Sequence, residues 1–299
     1  MNYLYHLLTY FGIYAILALS LNVVVGYCGA MTLAHAGYFA LGAYGYALGV
    51  SCWGIPPLAA IPFAFVVGAA ASILISLPTW RLKGDYFVLV SMAVQVLIYS
   101  ALYNWVVPGE QLGRWKNLTN GPFGITGIPR PTAAGFAFET PLSMSSLALV
   151  ALLFFIGLCH FLLNSPFGRV LNCLRDDELA TRNLGKRVQF FRFKAFLIAS
   201  GMAAFAGALY AAYTSYIDPS LASMDQSILL LSMIIVGGLG NLPGPLAGAA
   251  ILLLIPEVLR FLKLPDSIAA EARIMLYGIL LVVIVRIMPS GLAGKREMK

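Results

Sequence analysis

The sequence has few charged residues, and none at all among its first 80. Lys, Arg, Asp and Glu together make up 10% of the 299 residues, whereas hydrophobic residues make up 60%. A soluble domain carries about 25% charged residues, because its surface faces water. Apolar runs of about twenty residues, long enough to cross a ~30 Å hydrocarbon core as a helix, recur along the whole chain. The composition therefore excludes a soluble globular protein and predicts a polytopic, all-α integral membrane protein.

The sequence also lacks the motifs of common enzymes. It contains no GxxxxGK[ST] loop for ATP, no HExxH pair, and no Ser/His/Asp or paired-carboxylate arrangement. The four cysteines show no CxxC spacing, and the three histidines form no recognisable ligand set. We therefore expect no catalytic residue, no metal site and no cofactor. The net charge of +7 indicates basic loops on one face of a membrane rather than a nucleic-acid partner.

The apolar runs predict about nine crossings, within a range of eight to ten, because the second and seventh are short enough to be re-entrant or broken. Cytoplasmic loops are enriched in Lys and Arg, and the basic groups 81–83, 169–194 and 295–299 share one face in this arrangement. The N-terminus and the loop 108–141 are therefore expected outside, and the C-terminus inside. The predicted runs are 7–27, 33–50, 56–78, 86–107, 142–163, 195–216, 226–240, 243–262 and 273–289.

The charge that the chain does have is concentrated in one internal segment, 165–194. Ten of the 19 basic and 12 acidic residues lie between Arg169 and Lys194. Pro166 is a typical helix start and Gly185 a typical helix stop, so RDDELATRNLG is expected to form a short helix. KRVQFFRFK is expected to return to the membrane as an amphipathic stretch. A small helix set among charges suits docking into a groove on a partner, and the alternative is a solvated loop held inside by its basic residues.

Two similar glycine-rich stretches interrupt apolar runs: the first glycine break, VVVGYCGAMTLAHAG (23–37), and the second glycine break, IIVGGLGNLPGPLAG (234–248). Unwound backbone within a membrane is tolerated only where protein or water covers it, so paired breaks mark a candidate transport pathway. Close packing of helices through small residues is the other open interpretation.

Asn22, His35 and Gln95 are the polar residues most clearly placed within apolar runs, where each needs a partner or a water-lined cavity. His35 is expected to be a hydrogen-bonded packing residue rather than a metal ligand. The candidate pathway residues are Asn22, Gly26, Gly29, His35, Gly237, Gly240 and Asn241.

Several blocks carry a family resemblance, in order and with similar spacing from about residue 15 to residue 294. They are GDYFVLVSMA (84–93), LTNGPFGITGIP (118–129), SPFGRVLNCLRDDELATRNLG (165–185), AFAGALYA (204–211) and SMIIVGGLGNLPGPLAGA (232–249). Together they resemble the LivM-type permease subunit of branched-chain amino acid ABC transporters. SLNVVVGYCGAMTLAHAGYFALGAY (20–44) resembles the opening block that this subunit shares with its LivH-type sister.

The resemblance implies partners, a location and residue roles. The partners are a LivH-type sister permease, two cytoplasmic ATP-binding subunits, an external substrate-binding protein and membrane lipid, and the location is the bacterial inner membrane. Residues 1–299 are expected to form a single permease domain. Residues 165–194 then form the cytoplasmic coupling segment that contacts the ATP-hydrolysing subunit. The expected coupling residues are Arg175, Asp176, Asp177, Glu178, Ala180 and Gly185.

The substrate is less constrained than the class of transporter. The resemblance implies leucine, isoleucine and valine, while similar permeases serve urea and short amides, and both alternatives stay open. From another class, an ion-coupled secondary transporter often places acidic residues within its spans, and the long spans here contain almost none. An integral-membrane enzyme would need clustered titratable groups at one interface, which the sequence does not provide.

Overall fold

The computed structural model describes residues 2–76, 84–133, 136–138 and 140–261, together with parts of 275–293. Regular structure in these ranges is almost entirely helical, which agrees with the predicted all-α class. Four described helices are long and apolar enough to cross a membrane: Tyr3–Tyr27, Asp85–Asn104, Pro141–Asn164 and Val188–Thr214. Three shorter apolar helices accompany them, so the chain is a multi-pass membrane protein.

The regular elements of the described residues are α-helices and a few very short strands. The helices are α1 (Asn2–Asn22), α2 (His35–Ser51), α3 (Pro57–Ala71), α4 (Ile73–Ser76), α5 (Asp85–Asn104), α6 (Pro141–Asn164), α7 (Pro166–Asp176), α8 (Glu178–Asn183), α9 (Val188–Thr214), α10 (Met224–Gly237) and α11 (Pro243–Phe261). The two-residue strands are β1 (Ile125–Thr126), β2 (Thr132–Ala133), β3 (Phe136–Ala137) and β4 (Tyr216–Ile217).

Each of the first eight predicted apolar runs overlaps a described helix. The largest difference is at α9, which begins at Val188 rather than at 195. The amphipathic stretch that precedes the apolar run is therefore already part of the same helix. The ninth predicted run, 273–289, is described only in part, so its course as one span stays a prediction.

The core of the bundle is built around α1 and α9. In the most apolar part of each, 83% and 78% of the residues are buried, compared with 28% in α5 and in α6. α9 packs against α1, α2 and α3. Small residues permit this close approach: a Cβ atom on Gly42 would lie 2.0 Å from the carbonyl oxygen of Ala204. α5 and α6 therefore form the periphery, where apolar side chains are exposed to lipid.

One end of the bundle, which we call the strand end, carries the short strands. β1 pairs with β4 in an antiparallel ladder, and β2 pairs with β3. The hydroxyl of Tyr46, near the C-terminus of α2, donates to the carbonyl of Pro129 at 2.9 Å. The segment between α5 and α6 is thereby fixed to the ends of α2 and α9.

The opposite end, which we call the junction end, brings together the two glycine breaks and the coupling segment. Arg175 of α7 donates to the carbonyl of Gly26 at 2.8 Å. The backbone N–H of Ala293 donates to the carbonyl of Gly237 at 2.9 Å. The coupling segment and residues 291–293 thus lie at the same end, while the basic groups 81–83 and 295–299 lie outside the described residues.

Two of the shorter helices begin inside the bundle rather than at one of its ends. Gln95 lies at the middle of α5, and its side-chain oxygen accepts from the backbone N–H of Gly37 in the first turn of α2 at 2.8 Å. Its amide nitrogen donates to the carbonyl of Ala222, just before α10, at 2.6 Å. α10 has 14 residues, about 21 Å at 1.5 Å per residue, which is shorter than a ~30 Å hydrocarbon core. α2 and α10 correspond to the second and seventh predicted runs, and their re-entrant or broken course through the membrane stays a prediction.

Candidate functional site

The first glycine break starts at the end of α1, where the α-helix changes to a π-helical turn, Val23–Tyr27. The backbone N–H of Cys28 donates to the carbonyl of Val23 at 3.3 Å, and that of Ala30 reaches the carbonyl of Val24 at 3.1 Å. Carbonyl groups in the last turn of a helix lack an intrahelical donor, and Gly26 contributes one of them. π-helical turns occur frequently at functional sites, so this end of α1 is a candidate site by geometry as well as by sequence.

Asn22 joins the first glycine break to the second. Its amide nitrogen donates to the carbonyl of Asn241 at 2.7 Å, and its side-chain oxygen accepts from the backbone N–H of Gly240 at 3.1 Å. Asn22 is 1% exposed, and its partners Gly240 and Asn241 are half-buried. A buried amide with both of its polar atoms bonded holds two chain segments together, since separating them would leave polar groups unsatisfied.

Arg175 connects the coupling segment to the same point. Its guanidinium Nη1 donates to the carbonyl of Gly26 at 2.8 Å. The C-terminal end of a helix carries partial negative charge, so a cation is favourable there. We call the bonded cluster of Asn22, Gly26, Arg175, Gly240 and Asn241 the junction. The sequence analysis named all five residues but assigned Arg175 to a different site from the other four.

The glycines of the junction leave no room for side chains. A Cβ atom on Gly26 would lie 2.0 Å from the side-chain oxygen of Asn22. Gly240 has a φ of +76°, and a Cβ there would lie 2.2 Å from Nη1 of Arg175. Gly29 has a φ of +69° and packs against the backbone of Arg175.

Gly237 differs from these three glycines, because it packs on α11. A Cβ atom on Gly237 would lie 1.9 Å from the carbonyl oxygen of Gly244. For Gly237 this contact agrees with the packing interpretation, whereas Gly26 and Gly240 lie where three chain segments meet.

Residues 291–293 complete the junction end, which the sequence analysis did not anticipate. The backbone N–H groups of Leu292 and Ala293 donate to the carbonyls of Val236 and Gly237, the last residues of α10. In return, the amide nitrogen of Asn241 donates to the carbonyl of Ala293 at 2.6 Å. These bonds satisfy carbonyls that a helix end leaves without partners. The pairing joins positions more than fifty residues apart, and no local sequence pattern indicates it.

His35 lies apart from the junction, in the first turn of α2. Its Nε2 is 2.6 Å from the hydroxyl of Ser20, and its ring packs edge-on against Tyr38. This agrees with the predicted role as a hydrogen-bonded packing residue. In the ranges that the structure describes, no group of three or more His, Cys, Asp or Glu side chains is placed to hold a metal ion.

The coupling segment forms two helices rather than the single short helix expected for RDDELATRNLG. α7 begins at Pro166, as predicted, and ends at Asp176. Asp177 is extended, with φ −152°, and its carboxylate accepts from the backbone N–H groups of Leu179 and Ala180 at the start of α8. An Asp that caps a helix N-terminus interrupts the preceding helix, which is the physical reason for the break.

The acidic and small residues of α8 have different surroundings. Glu178 bonds to Arg182 within α8 at 2.8 Å and to Arg192 at 3.1 Å, and the second bond fixes α8 on the first turns of α9. Asp176 and Ala180 are exposed, and Gly185 ends α8 with a φ of +74°.

Two leucines of this region, which the sequence analysis did not name as coupling residues, are strongly exposed. Leu179 is 64% and Leu184 is 74% exposed. Their only signal in the sequence is that they are apolar residues within a charged segment. Together they give the coupling segment an apolar surface patch.

The apolar helices that the structure describes, with α2 and α10 starting inside the bundle, define the class of a multi-pass membrane protein. The chain belongs to the family described as the permease component of branched-chain amino acid transport systems, whose model matches residues 3–285.

Individual relatives support the same assignment. The chain is 31% identical to the high-affinity branched-chain amino acid transport system permease protein LivM of Salmonella typhimurium, over 94% of this chain and 67% of that protein. It is 26% identical to the probable LivM permease of Methanocaldococcus jannaschii, over 97% and 93%. It is 23% identical to the LivH permease of Escherichia coli K12, over 96% and 92%. No solved structure matches the chain at a significant level.

Proposed function

We propose that this chain is a transmembrane permease subunit of an ABC importer that carries branched-chain or related amino acids across the bacterial inner membrane. Cytoplasmic ATP-binding subunits hydrolyse ATP, a LivH-type sister permease forms the other half of the channel, and an external binding protein delivers the substrate. The chain crosses the membrane about nine times as one domain. Its N-terminus and the loop 108–141 lie outside, and its C-terminus and the coupling segment 165–194 lie inside.

The observation that carries this proposal is the coupling segment itself. Leu179 of α8 and Leu184, the residue directly after α8, are exposed to solvent beside charged side chains. A short helix with an apolar patch and a charged border fits a groove on a soluble partner. Because Glu178 is bonded to Arg192 of α9, a force on α8 acts directly on a helix of the bundle core. Docking and transmission are the two properties that a coupling segment needs.

The candidate pathway follows from the glycine breaks. Asn22 and Gly26 are buried where α1 leaves α-helical geometry, Gly240 and Asn241 are half-buried beside them, and Gly29 is exposed. Transporters tolerate irregular backbone where protein covers it or a water-filled cavity borders it. His35 lies at the other end of the first break, near the middle of the bundle. Arg175, Asp176, Asp177, Glu178, Ala180 and Gly185 belong to the coupling segment, and Leu179 and Leu184 join them as contact residues.

Purification of the chain from its native membrane tests the proposal. We expect two ATP-binding subunits and a sister permease to copurify, and the reconstituted complex to take up leucine, isoleucine or valine when ATP and the binding protein are present. Uptake of urea or short amides instead would change the substrate but keep the class. Full transport by the chain alone in proteoliposomes would contradict the class.

A further inference from the structure

We propose that Arg175 is a positioning residue that links the coupling segment to both glycine breaks, so that movement of α8 is transmitted to the candidate pathway. This inference rests on the proposed function, because it assigns a mechanical role within that importer. A coupling segment needs an outer surface for its partner, but Arg175 directs its guanidinium toward the bundle, where it donates to the carbonyl of Gly26 at 2.8 Å.

The guanidinium occupies a point that both breaks share. The position that a Cβ atom of Gly240 would take lies 2.2 Å from Nη1 of Arg175 and 3.1 Å from the carbonyl oxygen of Gly26. Gly240 therefore provides the space that Arg175 fills, and Gly26 provides the acceptor. The two glycines are needed for different reasons: a Cβ on Gly240 would meet Arg175 in addition to its strained φ of +76°, whereas a Cβ on Gly26 would meet the side-chain oxygen of Asn22 and the backbone nitrogen of Gly240.

The bonds of Asn22 make the two breaks respond together. Asn22 accepts from Gly240 and donates to Asn241, so it holds the second break against the end of α1. Arg175 holds the end of α1 against α7. Displacement of α7 therefore pulls on the first break directly and on the second break through Asn22.

The position of Arg175 in its segment suits this role. Leu171 and Leu174 of α7 are buried, which fixes the body of the helix against the bundle. Asp177, two residues after Arg175, is the extended residue between α7 and α8. A partner that moves α8 thus acts immediately beside Arg175. Arg175 is an exposed residue whose bond to Gly26 is part-buried, so water is able to replace that bond when it opens during a transport cycle.

The first test measures coupling in assembled complexes. Arg175→Ala and the matched variant Arg169→Ala, which removes an exposed arginine from the same helix, are purified with their ATP-binding subunits and reconstituted. We expect Arg175→Ala to keep its partners but to lower the ratio of substrate imported to ATP hydrolysed at least tenfold, with Arg169→Ala within twofold of the natural chain. An unchanged ratio in Arg175→Ala, or loss of the ATP-binding subunits from its complex, would overturn the proposal.

The second test is a double-mutant cycle on the purified permease alone. Gly240→Ala places a methyl group where Nη1 lies, so it should lower the melting temperature in the natural background. In the Arg175→Ala background that collision is absent and only the cost of the positive φ of Gly240 remains, so Gly240→Ala should lower the melting temperature by measurably less than in the natural background. Equal effects in both backgrounds would show that Arg175 and Gly240 act independently and would refute the link.

The two tests separate this inference from the proposed function. If the natural complex contains no ATP-binding subunits or imports no amino acid, the proposed function fails by itself. The melting cycle requires neither partners nor substrate and still decides whether Arg175 and Gly240 interact. If the natural complex transports normally but the effects of Arg175→Ala and Gly240→Ala on the melting temperature are additive, the proposed role of Arg175 is refuted and the proposed function stands.

Discussion

At the scale of single residues, Gly240 distinguishes a pathway role from simple packing. Its φ of +76° disfavours any side chain, and Val would also collide with Arg175. Gly54 is a matched control, because it has a φ of +65° but no atom within 4 Å of the position that a Cβ would take. We expect Gly240→Val to assemble with its partners and to lose at least tenfold in uptake, whereas Gly54→Val stays within about twofold. Failure of Gly240→Val to assemble would show that this glycine is needed for helix packing rather than for transport in an assembled complex.

Gly185 is constrained by its conformation and not by its neighbours. It ends α8 with a φ of +74°, and the space that a Cβ would enter is open to at least 4 Å. A β-branched residue in the left-handed region costs about 1–2 kcal/mol, while Asn visits it readily. We therefore expect Gly185→Val to weaken association with the ATP-binding subunits, measured by copurification, and Gly185→Asn to preserve it. Equal association in both variants would mean that this helix stop does not affect docking.

The residues of the junction are predictable individually but not as a group. Glycines and asparagines that interrupt apolar runs are visible in the sequence, and this pattern indicates Asn22, Gly26, Gly240 and Asn241. Arg175 lies 149 positions from Gly26 in the chain, and its sequence neighbours are charged. Its inward direction depends on how α7 packs against the end of α1, and a local charge pattern contains no information about that packing.

At the scale of helices, Gln95 holds the starts of α2 and α10 at mid-height of α5. Replacing it with Leu leaves the carbonyl of Ala222 without this partner and the N–H of Gly37 with only its bond to the carbonyl of Ala34. A buried group left unsatisfied costs about 1–3 kcal/mol. We expect Gln95→Leu to lower both the melting temperature and uptake. Asn104→Leu is the control, because the Asn104 side chain is exposed and bonds only within α5. A melting temperature for Gln95→Leu equal to that of the control would contradict this role.

The helices themselves are predictable because an apolar run long enough to cross a bilayer has little alternative to helix. Their ends are less predictable. α9 begins at Val188, where Phe190, Phe191 and Phe193 continue the helix beyond the uncharged run. The break at Asp177 is not evident in the sequence because Asp is acceptable both near the end of one helix and at the cap of the next, and only the observed backbone distinguishes the two.

At the scale of the whole molecule, the chain contains a natural reporter of its orientation in Cys173. This cysteine is exposed on α7, at the junction end. Cys28 lies at the same end but is buried, and burial raises the pKa of its thiol to about 11. Since maleimides react with the thiolate, Cys28 should stay unlabelled at neutral pH, and Cys173 should report this end of the molecule.

The opposite end needs an introduced cysteine, and the structure indicates where to place it. Asn120 is unsuitable, because it has a φ of +58° and its side chain donates to the carbonyl of Gly124 at 2.8 Å. Phe123, three residues later, is 74% exposed, so Phe123→Cys should not disturb the core.

With Cys52 replaced by Ser to remove the half-buried thiol, an impermeant maleimide should label Phe123→Cys in intact cells and Cys173 only after the membrane is opened. A cysteine at Asn183, exposed on α8, should behave as Cys173 does. Labelling of Cys173 but not of Phe123→Cys in intact cells would reverse the orientation and place the coupling segment outside, where no ATP-binding subunit could reach it.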